Sequence, residues 1–219
     1  MTTLLIATRN THKVGEIRAI LGGRFQLLTL NDFPGAPKIV EDAGTFAGNA
    51  AKKAVELARW IYSKQSTVNS QHSTPNFVLA DDSGLEVDAL NGAPGVHSAR
   101  FAALDSAKSG NTSDADNNAK LLRLLKDVPP EKRTARFRCV IALAEIRGPE
   151  SRMPDPNVFD GVCEGQILFE PRGKNGFGYD PLFVPAAYEQ TFAELGEDVK
   201  NKLSHRAKAL EQLKAFLTK

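Results

Sequence analysis

The feature that most narrows the fold of this chain is a strict alternation near its middle. In "RTARFRCVIALAEI" the apolar residues Ala135, Phe137, Cys139, Ile141 and Leu143 fall at every second position, the period of a long strand and not of a helix. A further strand is expected over residues 158–169, paired most simply with this one as a hairpin. The N-terminal half has a different rhythm. "TLLIA" (residues 3–7) reads as a short strand, "TRNTHK" (8–13) as a loop, and "VGEIRAIL" as a helix with Val14, Ile17, Ile20 and Leu21 at helical spacing. "FQLLTL" (25–30) is a second strand, and "NDFPGAPKIVEDAGTF" a turn-rich connection. "AGNAAKKAVELARWIY" (47–62) is helical, with Ala50, Ala54, Leu57, Ala58 and Ile61 on one face. "DNNAKLLRLLKDV" is a helix stopped by Pro129 and Pro130, and "LSHRAKALEQLKAFL" a C-terminal helix carrying Leu203, Ala207, Leu210, Leu213 and Leu217. Strands that first alternate with helices and then follow one another predict an α/β fold with a mixed sheet.

Composition narrows the function classes. The chain has 219 residues, 42% hydrophobic and 25% charged, enough for one large domain or two lobes sharing a sheet. No internal repeat or linker divides it, so residues 1–219 are read as a single domain. A net charge of +2 gives no electrostatic drive toward a nucleic-acid polymer. Cys139 and Cys163 lie far apart without metal-ligand spacing, and are expected as buried free thiols in a reducing compartment. The N-terminal apolar run is too short for a signal peptide, and no run of 18 apolar residues occurs, so a cytoplasmic protein without a membrane segment is expected. The polar stretch 63–76 reads as an exposed loop or insertion, and 103–115 as a second flexible stretch.

Chemistry is suggested at four places. The run 77–80 ends in Asp81 and Asp82, followed by Ser83 and Gly84. By themselves these residues suit a turn, with residues 85–89 continuing as a strand beyond it. They also suit a metal or general-base site at the carboxyl end of a strand, where open α/β sheets bind ligands. Asn10 and Lys13 stand at the start of the first helix, where backbone amides favour anions; Thr8, Asn10 or Thr11 as a simple cap is the alternative. Glu41 is a loop carboxylate that solvent alone would explain. In "PRGKNGFGYDPLF" the glycines Gly173, Gly176 and Gly178 permit close backbone approach, while Phe177 and Tyr179 offer rings for stacking or for the core. Ser204, His205 and Arg206 open a helix, either as a cap with two solvated bases or as donors aimed at an acceptor. The Walker A, GxGxxG and G-x-S-x-G patterns are all absent.

Taken in order, "ATRNTHKVGEI", "AGTFAGNAAKKA", "ADDSGLEVDALNGAPGVHSARF", "GKNGFGYDPLFVP", "TFAEL" and "KNKLSHRAKAL" resemble the inosine triphosphate pyrophosphatases, and the likeness covers nearly the whole chain. The resemblance implies a long mixed sheet flanked by helices, two lobes with a nucleotide-binding cleft between them, and a homodimer. It implies hydrolysis of inosine, deoxyinosine and xanthosine triphosphates to the monophosphate and pyrophosphate. It further implies that Thr8, Asn10 and Lys13 hold the triphosphate, with Lys53 nearby and Arg100 as a further candidate. Glu41 and Asp82 would hold Mg²⁺, Asp82 would activate the attacking water, and Ser83 would touch the substrate. Phe177, Gly178, Tyr179, Asp180, Lys200, His205 and Arg206 would bind sugar and base.

The chain departs from that pattern in two respects. Gly48-Asn49-Ala50 stands where the family often has Glu-Asn-Ala, which removes a carboxylate able to support the metal. The polar stretches 63–76 and 103–115 are longer than is usual. Two rival readings remain at this level. One is a related pyrophosphatase for modified pyrimidine nucleotides, against which "GFGYDP" and "SHR" argue. The other is a catalytically silent nucleotide sensor that keeps the binding contacts without a competent metal site.

Overall fold

Strand β1 (Thr3–Ile6) is buried along its whole length, as its run of apolar side chains requires. It lies parallel to β2 (Gln26–Thr29) on one edge and to β3 (Phe77–Val87) on the other, with Leu5 in register with Leu28 and Val78. With β4 (Thr134–Glu145), β5 (Asn157–Ile167) and β6 (Phe183–Pro185) the sheet order is β2-β1-β3-β4-β5-β6. The β5–β6 pair is antiparallel, so the sheet is mixed. Helices α1 (Thr11–Leu21), α2 (Phe46–Gln65), α3 (Asp114–Leu124), α4 (Phe192–Leu195), α5 (Glu197–Leu203) and α6 (His205–Leu217) complete the α/β architecture. The computed structural model describes residues 1–65, 74–105, 110–147 and 154–218. Most of the loop expected at 63–76, the middle of the stretch 103–115 and part of the turn before β5 lie outside these residues.

The chain divides into two compact units. One comprises residues 1–82, 140–160 and 209–219; the other comprises 83–139 and 161–208. The boundaries fall at Asp82–Ser83 in β3, Cys139–Val140 in β4, Asp160–Gly161 in β5 and Lys208–Ala209 in α6. Each of them lies inside a strand or helix. In the first unit Leu4, Leu5, Ile6, Ile17, Leu21, Leu57, Leu79 and Ile141 are fully or almost fully buried. In the second, Leu85, Phe101, Leu121, Phe137, Leu182, Phe183 and Phe192 form the core, with Phe137 and Phe183 in edge-to-face contact at 4.7 Å. Such pairing adds to the stabilisation from burying their area.

The sequence pattern needs correction at β3. Asp81, Asp82, Ser83 and Gly84 are not a turn but the middle of one continuous 11-residue strand. Turn-forming residues yield here because apolar stretches on both sides, Phe77–Ala80 and Leu85–Val87, are buried as parts of one strand. Three more corrections are smaller: α3 begins at Asp114, inside the polar stretch 103–115, and ends at Leu124, short of Pro129. Helix α2 runs to Gln65, past the expected end at Tyr62. Leu203 ends α5 and does not belong to the C-terminal helix, because the chain breaks at Ser204 before α6 begins. The short strand β6 and the short helices α4 and α5 were not foreseen; each is too brief to show a period.

Candidate active site

Two groups of polar side chains, one in each unit, are gathered around charged residues buried against the grain of their chemistry. The first is built on β3, α1, α2 and the loop before α2. Asn10 caps α1, its side chain accepting from the backbone amides of His12 (2.9 Å) and Lys13 (3.1 Å). Thr8 Oγ1 in turn accepts from the Asn10 amide at 3.1 Å, so both residues serve the helix start. Lys13 stands third in the first turn of α1, where its ammonium forms an ion pair with the buried Asp81. Lys53 of α2 donates to the backbone carbonyl of Asp81 at 3.0 Å and pairs with Glu41. Asp81 therefore engages one lysine through its side chain and the other through its main chain. Glu41, which taken alone could have been merely solvated, is held by Lys53.

Asp82 is 6% exposed. Its Oδ2 accepts from the Asn49 amide at 2.9 Å, and Asn49 Oδ1 accepts from the Ala43 amide at 2.9 Å. Asn49 thus ties the loop before α2 to the Asp82 carboxylate. Burial pushes the Asp82 carboxyl above the ordinary carboxylate range; Lys13, the Asn49 hydrogen bond and Lys53 draw it back, and Glu41 raises it further. A buried carboxylate that remains under-compensated beside two lysines suits a further cation. Among the described residues no group of three or more His, Cys, Asp or Glu side chains is assembled to hold a metal. A hard cation such as Mg²⁺ nevertheless fits Glu41 and Asp82, because it takes oxygen ligands and completes its shell with water and phosphate.

The departure at Gly48 acquires a physical meaning. Thr45 Oγ1 accepts from the Gly48 amide at 3.1 Å and so caps α2. A glutamate at position 48 would stand where a capping box places its carboxylate, closing a helix end. In this chain a Cβ at 48 would meet Ala43 Cβ at 2.7 Å, so glycine lets the loop lie directly on the helix start.

The second group belongs to the other unit. Ser204 caps α6, accepting from the Ala207 amide at 3.2 Å, as the helix-start pattern predicts. The two basic residues after it are not solvated. His205 is 4% and Arg206 1% exposed. The His205 ring stacks on Phe137 at 4.8 Å with an interplanar angle of 12°. Arg206 donates to Ser83 Oγ at 2.8 Å, across 123 positions of sequence. Lys200 pairs with Asp180 at 2.5 Å and lies 4.4 Å from the centroid of the Phe177 ring. Asp180 also accepts from the Phe177 amide at 2.9 Å. Tyr179 is core-facing: its hydroxyl donates to the Ser98 carbonyl at 2.9 Å, and burial pushes its phenol well above the ordinary value. Gly176 has φ +77°, and a Cβ there would meet Asp180 Oδ2 at 2.2 Å, so the turn closes only on glycine.

Most of the residues predicted from sequence thus fall into one of these two groups. Arg100 is the exception: it ends a 3₁₀ turn over Gly95–Arg100, half-buried, and joins no ion pair among the described residues. Sequence reading missed Asn49, and it missed Asp114 and Asn118 on α3. Asp114 accepts from the Gly178 amide at 2.7 Å, and Asn118 donates to the Gly178 carbonyl at 3.0 Å. An asparagine within an ordinary helix gives no sequence signal of such a contact.

Residues 4–216 match the Ham1 family. The chain is 48% identical to a dITP/XTP pyrophosphatase of Desulforamulus reducens over 217 residues, covering 99% of this chain and 96% of the relative. It is likewise 48% identical to a dITP/XTP pyrophosphatase of Geobacter sulfurreducens, covering 99% and 97%. Among solved structures, a HAM1 protein from Coxiella burnetii matches with a TM-score of 0.80 at 39% identity, covering 100% of this chain and 99% of that one. The Ham1 protein of Staphylococcus aureus matches with a TM-score of 0.78 at 34% identity, covering 99% and 98%.

Proposed function

Because the chain belongs to the Ham1 family, we propose that it hydrolyses inosine, deoxyinosine and xanthosine triphosphates to the monophosphate and pyrophosphate, cleansing the nucleotide pool. The observation that carries this reading is the lysine–carboxylate cluster at β3, in which Lys13 pairs with Asp81 and Lys53 with Glu41 and the Asp81 carbonyl, next to the buried Asp82. A triphosphate is the kind of polyanion for which two partly buried lysines would exchange their carboxylate partners.

In this reading Lys13, Lys53 and the capped start of α1 with Thr8 and Asn10 bind the phosphates. Mg²⁺ held by Glu41 and Asp82 would neutralise phosphate charge and acidify the attacking water. Asn49 orients the Asp82 carboxylate through Oδ2 and leaves Oδ1 to accept the proton of that water. The water oxygen bonds to the α-phosphorus as the bond from that phosphorus to the bridging oxygen of the β-phosphate breaks. Pyrophosphate leaves with the bonding pair, its charge met by Lys13 and Lys53. Phe177 stacks on the purine, while Ser83, Gly178, Asp180, Lys200, His205 and Arg206 form the sugar and base end, and Tyr179 anchors that end to the core through its ring.

The reading takes residues 1–219 as one functional domain and the enzyme as a homodimer. The two buried free cysteines support a reducing, cytoplasmic setting; no helix among the described residues is long and apolar enough to cross a membrane. The test is pyrophosphate release with Mg²⁺ over inosine, xanthosine, adenosine, guanosine and methylated pyrimidine triphosphates. Release of pyrophosphate, not orthophosphate, from inosine triphosphate is the expected result. Binding without release would make the protein a sensor, and a preference for the pyrimidines would make it the related pyrophosphatase.

A further inference from the structure

Phe177 sits between two glycines with left-handed backbones, Gly176 at φ +77° and Gly178 at φ +63°. Glycine populates this region without steric penalty, but it also gives a flanked side chain little directional hold. Besides the Lys200 ammonium 4.4 Å from its centroid, the direction of the Phe177 ring therefore depends on what fixes the neighbouring peptide groups. On the N-terminal side Asp180 does so by accepting from the Phe177 amide. On the C-terminal side the work falls to α3. Asp114 Oδ2 takes the Gly178 N–H at 2.7 Å and Asn118 Nδ2 reaches the Gly178 carbonyl at 3.0 Å.

These two contacts hold successive peptide units, one on each side of the Gly178 Cα. Between them they fix both soft torsions of the residue that has the most freedom to lose. Asp114 and Asn118 are four residues apart on α3 and so share a face. The Asn118 contact is also held at a cost. Its Oδ1 is buried without a hydrogen-bond partner, so the amide is aimed by Gly178 and not by full satisfaction of its own groups. A cost kept at one contact points to a requirement on the loop.

We propose that Asp114 and Asn118 are positioning residues that set the Phe177 ring for stacking on the purine, acting through the Gly178 peptide groups. This deepens the proposed function and rests on its assignment of the purine to the Phe177–Asp180 loop. Neither residue touches the reacting phosphate, so their effect belongs in base affinity and base choice and not in the bond-breaking step.

The experiment begins with the wild-type chain and inosine triphosphate. Absence of pyrophosphate release and of inosine monophosphate binding would remove the proposed function itself, whatever the variants do. Given an active wild type, Asp114→Ala, Asp114→Asn and Asn118→Leu are compared in steady-state kinetics, and in calorimetric binding of inosine monophosphate without metal. Asp114→Ala and Asn118→Leu should each raise KM for inosine triphosphate and weaken monophosphate binding by about fivefold, the scale of one lost hydrogen bond. The change in kcat should stay within about twofold, and preference for inosine over guanosine triphosphate should narrow. Asp114→Asn keeps an acceptor oxygen for the Gly178 amide and should return to near wild-type values. Should Asn118→Leu fail to fold, Asn118→Ala takes its place. Unchanged monophosphate affinity and base preference in folded variants would reduce both contacts to the docking of α3, overturning the proposal. An Asp114→Asn loss equal to that of Asp114→Ala would overturn it too, since charge and not the hydrogen bond would then be at work.

Discussion

Asn49 and Asp82 meet through a single amide-to-carboxylate hydrogen bond of 2.9 Å, with both side chains buried. The bond orients a carboxylate whose ionised form burial disfavours. Replacing Asp82 by Asn removes that charge at nearly constant volume and leaves an oxygen for Asn49. The variant should lose at least about 10²-fold in kcat, the scale of a general base. Its melting temperature should equal or exceed that of the wild type, because a poorly compensated buried charge is gone. Near-normal turnover would remove Asp82 from the chemistry, and a large loss of stability would contradict the account of its burial.

Lys13 and Asp81 offer a way to separate binding from folding. Lys13→Ala should raise KM and lower kcat together, because charge builds on the departing pyrophosphate. It also takes an ion-pair partner from the buried Asp81 carboxylate and should cost about 1–3 kcal/mol in urea denaturation, given that the lysine is partly exposed. Adding Asp81→Asn should recover most of the stability and none of the activity. Recovery of both would show that Lys13 serves the fold alone.

Arg206 donates to Ser83 and cannot turn into an acceptor. Inosine and xanthosine present a carbonyl oxygen at the six position and adenine presents an amino group. Sites built to hydrogen-bond one group can reject its replacement by about 10⁴-fold. Arg206→Ala should therefore cut kcat/KM for inosine triphosphate sharply and scarcely alter the already poor adenosine triphosphate rate. An equal fall for both substrates would assign Arg206 to phosphate binding or to the fold. Guanine keeps the oxygen, so its exclusion must come from elsewhere and should survive the substitution.

Cys163 gives a prediction in thiol chemistry. Burial pushes its thiol up to about 11, from an ordinary value near 9, so less thiolate is present at pH 8 than on a free cysteine. Cys139 is fully buried as well. An alkylating reagent at pH 8 should modify neither residue in the native protein and both after denaturation, as read by mass spectrometry. Ready native labelling of Cys163 would mean that β5 opens more freely than its burial indicates.

How far such features can be read from sequence depends on the range of the interactions that set them. The period-two pattern of β4 and the apolar faces of α1 and α2 are local, and they predicted their elements. The Ser204 cap was likewise visible, because a cap acts on the next three residues. The Asp81–Gly84 stretch misled for the same reason: turn preference is local, whereas its place in β3 depends on strands paired far along the chain. His205 and Arg206 looked solvated because burial of a base depends on distant partners, here Phe137 and Ser83. The pairing of Lys13 and Lys53 with one aspartate, and the hold of α3 on Gly178, left no mark in the composition or spacing of their own segments.

The points where the chain passes from one unit to the other all lie within strands or helices, at Asp82–Ser83, Cys139–Val140, Asp160–Gly161 and Lys208–Ala209. No gene fragment therefore encodes either unit uncut, and no crossover of genes at these points could exchange one without breaking into an ordered segment. Recombination has no seam to work with. A lineage of such proteins can vary either unit by substituting single side chains, but it cannot acquire a different one as a cassette. The two units are inherited together.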